Sequence, residues 1–174
     1  MFGSRGKKRS VTDLRHKFEV LGVEDIEFQI EDELDGQSNP RLAPLVLFHN
    51  IWGAALRKGD TEWLEETIRH FENRKSLTGV AAAMWPEEDD SLAALLAIRA
   101  SGVDLKHVTT VARRAQEHLL HHVAYTLSDS HSDEEAFQDV HWAVFETDAD
   151  GKPLRQMNVL HEYYGLVDPD ADKG

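Results

Sequence analysis

Ten histidines and no cysteine make imidazole the first side chain to weigh for chemistry in this sequence. His118, His121 and His122 crowd one turn and a half of a helical stretch. Residues four apart stand one above the other on a helix, so His118 and His122 can reach one metal ion. His49 falls on the inner stripe of an earlier apolar helix. A site of His49, His118 and His122 would offer three neutral imidazoles and an open position, which suits one divalent transition metal such as zinc and the activation of a water molecule. That is the chemistry of a metal-dependent hydrolase or transferase.

On a helical wheel His122 sits near the centre of a stripe made of Val108, Val111, Ala112, Ala115, Leu119 and Val123. His118 lies at the edge of that stripe and His121 points outward. In layout, one early His followed by a later His-x-x-x-His pair, the arrangement is similar to that of a family of bacterial four-helix metalloproteins. Those proteins need four long helices, and only one is legible here. The competing reading is a buried or solvated histidine that holds no ion.

His161-Glu162-Tyr163-Tyr164 forms a second cluster. Two tyrosines beside a His and a Glu suit an interface anchor, and they suit equally the edge where a hairpin packs on helices. Other chemistry finds little footing. Without cysteine there is no thiolate nucleophile and no Cys-ligated zinc or iron–sulfur site. No Gly-x-Ser-x-Gly elbow, glycine-rich phosphate loop or dinucleotide fingerprint occurs. Asp148-Ala-Asp150-Gly151 resembles part of a calcium loop, yet Met157 stands in the twelfth position, where a bidentate Glu is required.

The elements that must position these residues follow from periodicity and punctuation. Val11, Leu14, Phe18 and Leu21 recur at helical spacing, and Gly22-Val23 reads as a C-terminal cap with its hydrophobic contact. Residues 24–34 satisfy a helix through Ile26, Ile30 and Leu34 and a strand through the alternation at 26–30; helix is preferred. Leu42, Leu45, His49, Trp52 and Leu56 mark a helix running to Lys58, and Leu64, Ile68 and Phe71 mark the next. The stretch 92–98 is apolar nearly all round, the signature of a buried helix. Asp104 caps the longest helix. Beyond Ser132 the pattern changes: residues 142–147 and 154–160 read as strands about a turn at 148–151. The hairpin of residues 42–73 has the length of a tetratricopeptide unit, but Trp52 and Leu64 replace the small residues such units need and no second copy follows.

The expected fold is therefore mainly α: a compact bundle of five to six helices with a C-terminal β-hairpin. An α+β arrangement with residues 26–30 as a third strand is the alternative. The expected organisation is a basic disordered tail at 1–10, one globular domain at 11–166 and an acidic disordered tail at 167–174.

Net charge is −13 over 174 residues, and it is unevenly placed. Residues 18–35 carry eight acids and no Lys or Arg, while the first seventeen residues carry six Lys and Arg against one acid. The body should repel phosphates, so nucleic acid could be met only through the basic N-terminus. No apolar run follows the basic start and none approaches ~20 residues, so neither a secretion signal nor a membrane span is expected and the expected location is cytoplasmic. Taken together, these features point to a non-enzymatic interaction or regulatory protein that presents an acidic helical surface to a basic protein partner. It would need no cofactor. The metal-dependent enzyme using His49, His118 and His122 is the alternative.

Overall fold

Capping residues set the first elements. The computed structural model describes residues 10–35, 39–74, 89–129 and 139–171. Ser10 is extended and its hydroxyl accepts the Asp13 N–H at 3.1 Å, which starts α1 (Val11–Leu21). Gly22 adopts φ 65° and closes that helix. Val23 donates to the Phe18 carbonyl and buries its own side chain. The order then runs α2 (Ile26–Asp35), α3 (Leu42–Gly53), α4 (Trp63–Arg74), α5 (Asp89–Ser101), α6 (Leu105–Ser128), β1 (Phe145–Thr147), β2 (Pro153–Gln156) and a 3-10 turn at Leu160–Glu162. The protein is mainly α with a small antiparallel hairpin near its C-terminus, as expected. Residues 26–30 belong to a helix, so no third strand forms from them.

The chain divides into two compact units: Met1–Ala55 with Gln116–Gly174, and Leu56–Ala115. The continuous helix α6 supplies its C-terminal half to the first and its N-terminal half to the second.

In the first unit Leu14, Phe18, Ile30, Leu42, Leu45, Phe48 and Trp52 from α1–α3 bury against Leu120 and Ala124 of α6. Met157, Leu160, Tyr163 and Val167 close the same core from the C-terminal segment. Val167 stands at the start of the tail expected to be disordered, yet it is buried. Asp168 folds the residues after it by accepting the Asp170 N–H at 2.9 Å. The remaining tail expectations, at residues 1–9 and 172–174, lie outside the described residues.

The hairpin turns where residues 148–151 predict. Asp148 Oδ1 accepts the N–H groups of Asp150 and Lys152, both at 2.9 Å. Gly151 completes the turn at φ 77°. That carboxylate is committed to the backbone, which disposes of the calcium-loop likeness. The strands pair Phe145 with Gln156 and Thr147 with Pro153. They are shorter than the apolar runs suggest, because the chain leaves β2 after Gln156 and coils into the turn at Leu160.

The second unit is smaller. Leu64, Ile68 and Leu92 form its core, bordered by Trp63, Phe71, Leu95, Leu96, Ile98 and Leu105. Its α5 is one-sided rather than buried all round: Ala93, Ala94 and Ala97 face solvent. Asp104 acts as the expected cap, accepting from Lys106 N at 2.9 Å, and just before α4 Asp60 accepts from Glu62 N at 2.8 Å. Trp63 Nε1 donates to Thr109 Oγ1 at 2.7 Å, and Thr109 donates to the Asp60 carbonyl at 2.6 Å.

Candidate functional site

The inward face of α6 differs from the one its sequence periodicity suggests. Leu120 and Ala124 are buried, and Thr109 and Arg113 are buried on the N-terminal half. Val111, Leu119 and Val123, assigned to the core stripe, are exposed. Tertiary partners, rather than the apolar stripe of the sequence, choose the face that turns inward. Thr109 and Arg113 can be buried because their polar atoms are satisfied, Thr109 as above and Arg113 by donating to the Leu56 carbonyl.

This rotation moves the histidines. His122, expected near the centre of the buried stripe, is exposed, and so is His118. His121, expected to point outward, is half-buried. It packs edge-on against Tyr164 at 5.4 Å between ring centres, and its Nδ1 is buried with no hydrogen-bond partner among the described residues. His118 and His122 are brought together, with ring centres 4.6 Å apart and planes at 84°. His49 is not part of a shared cluster. It lies exposed on α3, where Phe48 beside it takes the buried position. Among the described residues no group of three or more His, Asp or Glu side chains could hold a metal ion.

The segment 161–164 splits by role. Tyr163 is a core residue, 1% exposed, and burial pushes its phenol above the ordinary range. Arg41 lies over the Tyr163 ring at 5.6 Å and over the Phe28 ring at 5.3 Å. The same guanidinium binds Asp32. Burial opposes the charge on Arg41, but hydrogen bonds to Asp32 and Tyr163 hold its pKa above the usual value. The Tyr164 carbonyl accepts the Trp52 indole N–H at 2.6 Å. His161 is half-buried against Tyr125, with ring centres 5.5 Å apart, and Glu162 is exposed. Val159, just upstream, holds φ 49°, a left-handed conformation that a β-branched side chain rarely adopts.

Beneath this segment lies an ionic network that no sequence motif announces. The buried Glu33 accepts the N–H groups of Arg41 at 2.7 Å and Leu42 at 3.1 Å, at the start of α3. It also pairs with Arg155, which reaches the buried Glu146 at 2.8 Å. Burial works against the Arg155 charge, and its bonds to Glu33 and Glu146 outweigh that and raise its pKa. No local signal marks this network, because Glu33 sits in a run of acids that looks solvated throughout.

Charge separates by unit. Described residues of the first unit hold eighteen Asp and Glu against five Lys and Arg; those of the second hold eight of each. Of the five cations, Arg15, Lys17, Arg41 and Arg155 are in ion pairs. Glu19, Glu24, Asp25, Glu27, Glu31 and Asp35 are exposed on and beside α1 and α2, and Val20, Phe28 and Leu34 are exposed among them. No helix among the described residues is long and apolar enough to cross a membrane. No family model, curated protein or solved structure matches the chain.

Proposed function

We propose that this is a non-enzymatic interaction or regulatory protein whose acidic first unit binds a basic protein partner. The supporting observation is that, among the described residues, the net negative charge is confined to that unit, with most acids of α1 and α2 exposed. Such a field steers encounter and selects against acidic partners more than it sets affinity. Affinity comes from apolar anchors. Phe28, 54% exposed within the acidic surface, is a residue of the type that supplies it. The reading calls for no cofactor.

The test is an affinity capture with the intact protein, analysed by mass spectrometry and repeated with a Glu24→Gln/Glu31→Gln/Asp35→Asn variant. A partner retained at roughly 50 mM salt, weakened at about 150 mM and lost with the variant supports the reading. Binding that survives both the added salt and the substitutions overturns it.

A further inference from the structure

We propose that His118 and His122 form a two-imidazole chelate for one divalent transition metal ion, copper in preference to zinc. The pair sits at i and i+4 on the continuous helix α6, and both side chains are exposed, so an ion reaches them without any rearrangement of the core.

Ring separation is compatible with one shared ion. A nitrogen-bound ion stands about 2.0–2.1 Å from its ligand atom, hence about 3.2 Å from the imidazole centre. Two rings at right angles about that ion have centres about 4.5 Å apart, and two rings at the tetrahedral angle about 5.2 Å. The observed 4.6 Å brings the two exposed rings within reach of one ion, and the preference for copper over zinc follows the general order of divalent-metal affinity at nitrogen sites.

The surroundings favour a cation. Glu117 stands beside His118 in sequence, while Arg114 lies four residues before it on the same helix. The negative field of the first unit raises the local concentration of cations. His121 is turned inward onto Tyr164 and packs its ring against His122 at 5.8 Å, which narrows the range of positions His122 can take. With no third ligand among the described residues, the remaining coordination positions belong to water or to a group brought by a partner. This is a peripheral, coordinatively open site. It needs neither His49 nor an enzyme activity, and it stands independently of the proposed binding function.

The test uses tag-free intact protein titrated separately with Cu²⁺, Ni²⁺ and Zn²⁺, with heat and thermal midpoint both recorded. The expected result is a tightest equivalent in which copper binds more strongly than zinc. It should weaken at least ten-fold in His118→Ala and in His122→Ala and stay unchanged in His49→Ala. Bound Cu²⁺ should show a resonance spectrum with two imidazole nitrogens that falls to one in either single variant. Because both side chains are exposed, far-ultraviolet circular dichroism should confirm intact helix in each variant. A tightest equivalent indifferent to His118 and His122 overturns the proposal, as does one that depends equally on His49.

Discussion

Glu33 and Arg155, 122 residues apart in sequence, meet as an ion pair in which the Glu33 side chain is 1% exposed. The pair ties the end of α2 to the hairpin, and through the Arg41 and Leu42 N–H groups it fixes the start of α3 as well. Removing a single partner from a buried pair costs more than the pair contributes, because the other charge is left uncompensated. Arg155→Met removes the cation that Glu33 and Glu146 share. It should lower stability by about 3–5 kcal/mol in urea unfolding. Glu33→Gln keeps an acceptor for the two backbone N–H groups and should cost less, about 1–3 kcal/mol. Equal losses in the two variants would count against this division of roles.

Trp52 anchors the C-terminal segment by a different means. Its indole is buried in the first core and donates to the Tyr164 carbonyl at 2.6 Å. Trp52→Phe removes that donor and leaves a void, which should cost about 2–4 kcal/mol. Hydrogen exchange should quicken between residues 160 and 167 ahead of α1. Unchanged protection there would mean that the indole bond does not hold the segment.

Thr109 plays the corresponding part in the second unit, accepting from Trp63 and donating to Asp60. Thr109→Val preserves shape and deletes both bonds, leaving a donor and an acceptor unsatisfied. A loss of about 1–3 kcal/mol is expected. Thr109→Ser retains the hydroxyl and should recover most of it. Equal loss in the two variants would assign the effect to packing of the methyl group.

Tyr163 supplies a pH dependence whose sign is fixed by its burial. The folded phenol holds its proton above the ordinary range, so between the unfolded pKa, about 10, and the folded value the native state binds more protons. Its contribution is complete below about pH 10 and is lost as pH rises from there towards the folded pKa. Urea midpoints measured across that range should fall with pH. Tyr163→Phe should remove part of the slope, and one tyrosine in the native protein should ionise late by ultraviolet absorbance. An identical slope in Tyr163→Phe would sink this assignment.

Much of the fold is legible in the sequence wherever a local rule governs. Gly22 and Val23 end α1, Asp104 starts α6, and residues 148–151 turn the hairpin, each through hydrogen bonds made within a few residues. The acidic stretch is legible too, and most of its acids are exposed. The histidine site is legible only in part. Spacing along one helix brings His118 and His122 together, but whether His49 joins them depends on the rotation of two helices about their own axes.

Composition, caps and turn residues thus determined a mainly helical chain with a C-terminal hairpin and a strong negative charge. Tertiary structure decided which face of α6 turns inward, that Phe48 rather than His49 is buried, and that Glu33 leaves the acidic surface to meet Arg155. The physical reason is common to all three. A helix face has no burial of its own, and neither has a carboxylate. Each is settled by the partner that fills a core position or compensates a charge, and those partners lie far away along the chain.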